Sequence, residues 1–138
     1  MMYLLDTNVI SEMRKTERAH AKVKKWAESV DAAALFLSAV SVLEMEIGVR
    51  RIERRDRKQG LVLRSWLHTR ILPAFAGRII AVDTQVALKC AALHVPDPRS
   101  YRDSLIAASA IIHEMTVVTR NIADFEPMGV AVLNPWEF

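Results

Sequence analysis

Apolar and polar positions alternate along the 138-residue chain in two kinds of segment. Short runs of adjacent apolar residues, bounded by polar ones, are typical of buried strands. Longer segments repeat their apolar residues at helical spacing. The predicted strands cover residues 2–5, 35–37, 79–82, 116–119 and 131–133, and the predicted long helices cover 20–29, 42–58, 61–72, 85–94 and 102–114. Short helical turns are expected after Asn8 and after Asn121.

This alternation predicts one domain, residues 1–138, with an α/β fold: a three-layer sandwich around a mainly parallel central sheet. The segment LIAASAII, residues 105–112, is apolar nearly all round, so its helix should be the most buried one. In such folds, functional sites lie at the carboxyl ends of strands, beside helix N-termini. The polar residues that follow each predicted strand are therefore the first candidates for function.

Composition narrows the class of protein. Hydrophobic residues make up 51% and charged residues 25%, as in ordinary globular proteins. The single cysteine, Cys90, can form neither an internal disulfide nor a cysteine-based metal site, which favours a reducing compartment. The N-terminus lacks the order of a signal peptide, and the longest apolar run, AAALFLSAVSVL, is too short to span a bilayer. We therefore expect a soluble, cytoplasmic protein without a membrane partner.

Positive charge is concentrated in one segment of the chain. The formal net charge is only +3, but RRIERRDRK, residues 50–58, holds six basic side chains. A solvated helix face is the ordinary interpretation of such a run. A phosphate-binding surface is the alternative. The sequence by itself leaves both open.

Four acids stand at comparable places in the predicted fold. Asp6 ends the first strand, Glu44 follows the second, Asp103 opens the most buried helix and Asp124 follows the fourth strand. The last three also occur in capping patterns, SVLE, SYRD and NIAD, with Ser41, Ser100 and Asn121 as the helix N-caps. Capping alone would account for any one of these acids, since helix starts have unsatisfied amides.

Taken together, the four acids predict a metal site. In a parallel α/β layout they can converge on one edge of the sheet, where like charges would repel and raise a pKa. A divalent cation makes such a cluster tolerable. Ligands that are all oxygen favour Mg²⁺ or Mn²⁺ over Zn²⁺. The histidines show no metal-ligand spacing, and no P-loop or GxGxxG is present.

Other acids have structural interpretations. Glu46 has Arg50 four residues later, and Glu53 has Arg57, so both are expected to form ion pairs along the helix. Glu44 instead has Gly48 at that distance, which leaves open space on its face. Asp83 is expected only to cap a packing helix.

The motifs LLDTNVISE, SVLEMEIG, DSLIAASA and VVTRNIADFEPMGVAVLNPW resemble, in this order and over the whole chain, those of PIN-domain proteins. The resemblance is to the VapC-type ribonuclease toxins of type II toxin–antitoxin pairs, in particular the FitB-like branch. It implies that Asp6, Glu44, Asp103 and Asp124 form the catalytic, metal-binding quartet. It also implies polar helpers, at Thr7, Asn8, Thr119 and Asn121.

The resemblance also implies a reaction. RNA would be cleaved with one or two Mg²⁺ or Mn²⁺ ions, by in-line attack of an activated water on phosphorus. It further implies a homodimer and a small cognate antitoxin, through which promoter DNA would be bound indirectly. Six arginines are candidate contacts to RNA or to the antitoxin, and the sequence does not separate these roles: Arg50, Arg51, Arg54, Arg55, Arg102 and Arg120.

Two further functions stay open at this point. One is a catalytically silent PIN-fold scaffold or co-repressor subunit, and the other is a metal-dependent nuclease of structured DNA. Two residues depart from the family pattern: Glu114 stands where relatives often have a helix-ending glycine, and Arg102, just before Asp103, should make the rim of the cleft more positive. Neither departure removes an expected metal ligand.

Overall fold

The computed structural model describes residues 1–138 and has five parallel strands at its centre. They are β1 (Tyr3–Leu5), β2 (Leu35–Ser38), β3 (Ile79–Ile80), β4 (Thr116–Val118) and β5 (Val132–Leu133). Their order in the sheet is β3-β2-β1-β4-β5, and every neighbouring pair is parallel. All five predicted strands are confirmed. β3 is two residues shorter than expected, β1, β4 and β5 are one residue shorter, and β2 is one residue longer.

Helices connect the strands. They are α1 (Thr7–Met13), α2 (Ala21–Ser29), α3 (Ala39–Arg55), α4 (Arg57–Ser65), α5 (Leu72–Ala74), α6 (Thr84–Leu93), α7 (Tyr101–Ile112) and α8 (Ile122–Phe125). A π-helical segment, Trp66–Ile71, joins α4 to α5. The short turns expected after Asn8 and Asn121 are α1 and α8. None of these helices combines the length and the apolar composition needed to cross a membrane.

The sheet separates two apolar clusters, which makes three layers. Leu5 and Leu37 point to one side, where they pack with residues of α1, α2 and α3 such as Trp26. Leu4 and Val117 point to the other side, where they pack with α7 and α8. Adjacent residues of a strand face opposite sides, so both faces of a central strand can be apolar. The predicted fold class is confirmed, and α7, with residues 106–110 all buried, is the most buried helix as expected.

The connections place a natural site at the end of β1. From β1 the chain moves through β2 to β3 on one side of the sheet, and later through β4 to β5 on the other. The strand order therefore reverses beside β1. In open α/β sheets, the crevice at such a switch point, at the carboxyl ends of the strands, is where ligands bind. Asp6 comes directly after β1, in this crevice.

The predicted helices 42–58 and 61–72 are wrong in their boundaries. Helix α3 begins at Ala39 and ends at Arg55, and α4 begins only two residues later. Asp56 separates them because it is extended and its side chain caps α4, accepting the N–H of Gln59 at 3.1 Å. Gly60 then packs so closely on Glu53 that a Cβ would lie 2.5 Å from its Cγ. The basic run is thus divided between two tightly packed helices.

A network of ion pairs ties α3 to α4. The expected pair between Glu46 and Arg50 is confirmed at 2.6 Å, but the pairing of Glu53 with Arg57 is wrong. Glu53 accepts instead from Arg64 of α4, at 2.7 Å, and Arg64 also binds Glu46 at 3.0 Å. Arg64 reaches both acids because the close approach at Gly60 brings α4 against α3.

A Glu46→Gln variant should lose more stability at pH 6 than at pH 3. Hydrogen bonds from His68 and from Arg64 lower the pKa of Glu46 from 4.5 to about 2. Because the folded-state pKa is depressed, the stabilisation is present above pH 4.5 and is lost as pH falls towards 2. The side chain is 25% exposed, so after discounting for solvent we expect about 1 kcal/mol at pH 6. Thermal unfolding at pH 6 and pH 3 measures this difference.

The matched control is Glu28→Gln, since Glu28 is exposed and makes no ion pair. It should change the melting temperature little at either pH. An equal loss for Glu46→Gln at pH 6 and pH 3 would show that the charge of Glu46 is not what stabilises the α3–α4 pair.

Glu114, one of the two departures from the family pattern, has a strained backbone conformation just after α7. Glu114 has a φ of +55°, in the left-handed region that suits glycine. It lies two residues after the helix ends, before β4, and so at the opposite end of α7 from Asp103. The departure from the family pattern therefore affects a connection and not the candidate site.

Candidate active site

Asp6 is held at the end of β1 by the backbone on both sides. Its N–H donates to the carbonyl of Val118 in β4, at 2.9 Å, which continues the sheet by one residue. Its Oδ1 accepts the N–H of Thr7 at 2.7 Å, and this caps α1. The side chain is 1% exposed. Asp6 is therefore a helix cap and a buried carboxylate at the switch point at once.

Polar side chains from α1 and from the residue after β4 orient the second oxygen of Asp6. The hydroxyl of Thr119, which is fully buried, donates to Oδ2 at 2.8 Å. The amide of Asn8 lies 3.4 Å from the same oxygen and from the Thr119 hydroxyl. The N–H of Asn121 donates to that hydroxyl at 3.0 Å. The side chains of Thr7, Asn8 and Thr119 thus gather around Asp6, and Asn121 joins them through its backbone N–H.

Glu44 joins this network from α3. Its Oε1 accepts the hydroxyl of Thr7 at 2.7 Å, and its Oε2 accepts from Arg102 at 2.5 Å. Burial pushes the pKa of Glu44 up, but the hydrogen bonds from Arg102 and Thr7 outweigh it, so its pKa lies below 4.5. Glu44 is ionised at neutral pH and available as a ligand.

The predicted capping role of Glu44 is wrong. The helix starts three residues earlier than expected, because Ser38 at the end of β2 is the N-cap and accepts the N–H of Val40 at 3.0 Å. Ser41 lies inside α3, where its buried hydroxyl has no partner. Glu44 is consequently in the second turn of α3, where it caps nothing and its hydrogen bonds direct it at Thr7 and Arg102.

Asp103 reaches the site from the start of α7. Ser100 caps this helix as predicted, accepting the N–H of Asp103 at 3.2 Å. The carboxylate itself does not complete the capping box. Its Oδ1 accepts from Arg102 at 2.7 Å, and the side chain is 19% exposed.

Arg102 lies at the centre of the acids, and its expected place at the rim is wrong. Its Nη2 donates to Asp6, its Nε to Glu44 and its Nη1 to Asp103, at 2.5, 2.5 and 2.7 Å. Burial lowers the pKa of the guanidinium, but the bonds to Glu44 and Asp6 outweigh it, so its pKa lies above the ordinary value. Three carboxylates from three elements therefore share one positive charge.

Asp124 is not part of this cluster. It is exposed on α8, and its side chain makes no hydrogen bond or ion pair. Its predicted capping partner is also wrong, since the Asn121 side chain caps nothing. The structure brings three of the four predicted acids together. Asp124 lies in α8, the short helix that follows Thr119 in the chain.

The other candidate arginines lie outside the acid cluster. Arg51, Arg54 and Arg55 are exposed along the second half of α3, and Arg50 there pairs with Glu46. Arg120 borders the site through its N–H, which donates to Asn8 Oδ1 at 3.3 Å, while its guanidinium lies 5.2 Å from the centre of the Trp136 ring.

A cleft lies beside Glu44, one of the three clustered acids. It has a volume of about 250 Å³, and its lining includes Thr7, Glu44, Gly48, Arg14 and Trp66. The guanidinium of Arg14 lies 5.8 Å from the centre of the Trp66 ring. Arg14 is two helical turns after Thr7, and that spacing on α1 was the available signal. The open space predicted beside Gly48 is confirmed.

The donor set suits a hard divalent cation. As they stand, no three acids or histidines are arranged to hold a metal ion directly. Yet the carboxylates of Asp6, Glu44 and Asp103 already converge on a single cationic group, Arg102. All the donors are oxygen, and neither histidine nor cysteine is among them, which fits Mg²⁺ or Mn²⁺ better than Zn²⁺.

Comparison with known proteins finds the same family over most of the chain. The sequence model of the PIN domain matches residues 3–127. The VapC ribonuclease Y4jK of Sinorhizobium fredii is 35% identical over 141 residues, covering 99% of each chain. The toxin FitB of Neisseria gonorrhoeae is 39% identical over 145 residues, covering 98% of this chain and 99% of its own.

A solved structure agrees with these relatives. The structure of FitAB bound to an IR36 DNA fragment contains a chain that is 38% identical to this one. The two superpose with a TM-score of 0.89 over 99% of this chain and 97% of the other. The two chains are therefore alike in sequence and in fold over nearly their whole lengths.

Proposed function

This chain belongs to the PIN-domain family, among proteins named VapC ribonucleases and FitB toxins, and on that premise we propose that it is a metal-dependent endoribonuclease, the toxin of a type II toxin–antitoxin pair. The whole chain, residues 1–138, would act as one nuclease domain.

One observation carries this proposal: Asp6, Glu44 and Asp103 meet around one positive charge at the switch point of the sheet. Each comes from a different element, so no local structural need explains why the three carboxylates face one another. Like charges held this close repel. Such an arrangement is typical of a site selected to hold a cation for chemistry.

In this proposal, Asp6, Glu44 and Asp103 hold Mg²⁺ or Mn²⁺, and Asp124 approaches from α8. When bound, the ion would supply Lewis acidity towards the phosphodiester and lower the pKa of the attacking water. The chain does the positioning. Thr119 and Asn8 fix the plane of the Asp6 carboxylate, and Thr7 links Asp6 to Glu44. Such support around ligands is what keeps a metal site in its productive geometry.

The remaining cleft would accept the nucleic acid. In its lining, Trp66 offers an aromatic face and Arg14 a cation, which suits a base and its phosphate. The exposed arginines of α3 extend positive charge beyond it. These features favour RNA with unpaired bases as the substrate. We propose the cytoplasm as the place of the activity.

A protein partner is the second part of the proposal. The FitAB relative supports a small antitoxin that binds this chain and, through it, promoter DNA indirectly. Leu61 and Val62, exposed by 61% and 56%, lie with Trp66 along an open groove next to the cleft. Exposed apolar side chains grouped in this way mark protein-binding surfaces. We also propose a homodimer, as in the family.

A silent scaffold is the second candidate, and one observation favours it. Arg102 neutralises part of the acid cluster and fills the place where a cation would lie. If this ion pairing were permanent, the fold would bind an antitoxin without cleaving anything. The structured-DNA alternative has no comparable support in the geometry.

The test is cleavage by purified protein free of any antitoxin. Total RNA, single-stranded DNA and a DNA flap are each incubated with it, in EDTA and after addition of excess Mg²⁺ or Mn²⁺. The proposal expects cleavage of RNA only, and only with metal added. Cleavage of the flap in preference to RNA would support the DNA alternative, and no cleavage of any substrate by folded protein would support the scaffold.

A further inference from the structure

Arg102 uses three different nitrogens to bind three different carboxylates. The partners lie 1, 58 and 96 residues away along the chain, so the contact is a product of the tertiary fold. No other basic side chain forms an ion pair with Asp6, Glu44 or Asp103. Arg102 is therefore the only direct counter-ion of the cluster, and it leaves a net charge of −2 among these four side chains.

The oxygens that accept from Arg102 include those a cation would need. They are one oxygen each of Asp6, Glu44 and Asp103. The second oxygen of Asp6 accepts from Thr119, and the second oxygen of Glu44 from Thr7. Of the two oxygens that face the guanidinium in these residues, Glu44 Oε2 has no other protein donor, and Asp6 Oδ1 has one, the N–H of Thr7 at 2.7 Å. A guanidinium and a divalent cation repel each other, so binding both at these oxygens is unfavourable.

From this geometry we infer that Arg102 is an internal counter-ion that competes with the divalent cation for the three carboxylates. It holds the buried charge of Asp6 neutralised in the metal-free protein and must leave the cluster when metal enters. The inference rests on the proposed function in one respect, that the acids bind metal at all. It adds that Arg102, which is not itself a metal ligand, raises the concentration of metal that the site needs for binding.

The side chain is built to make such a move. Arg102 lies in the first turn of α7, and 32% of its side chain is exposed, so its path to solvent is open. The backbone N–H of Asp103 next to it is held by the Ser100 cap. The start of α7 therefore has an anchor that does not depend on the guanidinium.

Arg102 affects the stability of the metal-free protein and its affinity for metal in opposite directions. In metal-free protein, Arg102 stabilises the fold, because removing it would leave a fully buried carboxylate beside two others without compensation. For metal binding, Arg102 is a cost, because three ion pairs must break first. An Arg102→Gln change should therefore weaken the apo protein and tighten metal binding together.

The experiment measures Mn²⁺ binding to metal-stripped protein by isothermal calorimetry, with thermal unfolding in EDTA and in Mn²⁺. Arg102→Gln should bind Mn²⁺ at least tenfold more tightly than the parent. Its melting temperature should be lower than the parent's in EDTA, and Mn²⁺ should raise it by more degrees than it raises the parent's. Neither readout depends on RNA cleavage.

Two further variants keep the test sharp. Arg18→Gln removes an exposed positive charge that makes no ion pair, and it should leave the Mn²⁺ affinity unchanged. Arg102→Lys keeps the charge but has no planar fork to bind three acids at once, so its affinity should lie between those of the parent and Arg102→Gln. It also serves if Arg102→Gln fails to fold.

The outcomes separate the two proposals. Equal Mn²⁺ affinity in the parent, Arg102→Lys and Arg102→Gln would overturn the competition while leaving the metal site intact. Absence of Mn²⁺ binding in all of them would overturn the metal site of the proposed function and this inference with it.

Discussion

An Asp6→Asn variant should lose about a thousandfold or more in the rate of RNA cleavage, equivalent to about 4 kcal/mol of transition-state stabilisation. Asparagine has nearly the same shape and is as good a helix cap, so α1 should still begin where it does. What it lacks is the negative charge that the buried position directs into the crevice. The measurement is the initial rate of cleavage of a defined RNA in Mg²⁺, with circular dichroism and thermal unfolding to establish that the variant is folded.

Asp83→Asn is the matched control. Asp83 also precedes a helix and caps it, accepting the N–H of Val86 at 2.9 Å, which confirms its predicted structural role. It belongs to no acid cluster. The control should cleave RNA like the parent, and an Asp6→Asn protein that is folded and equally active would show that Asp6 does no more than Asp83 does.

A Phe125→Ala variant should lose about 3–5 kcal/mol of folding free energy and about 10–20 °C in melting temperature. Phe125 is fully buried in the cluster formed by Leu4, Ile106 and Met128. Its removal leaves a cavity next to the strand that carries Asp6, and it releases the helix that carries Asp124. Thermal unfolding and urea titration measure the loss.

Glu126→Ala is the corresponding control for this helix. Glu126 is exposed, adjacent to Phe125, and makes no ion pair, so the change should stay within about 0.5 kcal/mol. If Phe125→Ala destabilised the protein no more than this, α8 would be held by something other than Phe125. At a temperature where Phe125→Ala is still folded, reduced cleavage would indicate that the position of α8 matters to the site.

The strands and the acids could be predicted from sequence because both are local signals. Each strand is a short apolar run that ends in a polar residue, and the parallel topology brings these ends to one edge of the sheet. Asp6, Thr119 and Glu44 follow from that rule. Asp103 follows from the apolar helix it precedes, since so buried a helix must lie against the sheet.

The position of Arg102 could not be predicted because its partners are set by tertiary distance. Neighbouring helical residues point in different directions, so an arginine beside Asp103 was expected to lie outside the cluster. In the first turn of α7, its long side chain instead reaches Asp6 and Glu44 across the switch point. The capping prediction for Asp124 was wrong for a different reason. Its pattern, NIAD, is a local signal, and in the folded chain the Asn121 side chain does not cap α8.

The predicted helix boundaries in the basic run were wrong because the sequence does not distinguish Asp56 from the charged residues around it. Asp56 stands in a run of charged residues, where nothing marks it as a cap, and the helical period continues on both sides. The close packing at Gly60 then selects Arg64 over Arg57 as the partner of Glu53. Spacing within one helix cannot reveal a partner that a second helix supplies.

The most direct measurement is a crystal structure of the antitoxin-free protein grown in excess Mn²⁺, with an anomalous difference map at the manganese edge. The expected result is an anomalous peak among the carboxylates of Asp6, Glu44 and Asp103, with the guanidinium of Arg102 moved out of the cluster. Carboxylates still bound to Arg102 at saturating Mn²⁺, without a peak between them, would contradict the central claim that these three acids form a catalytic metal site.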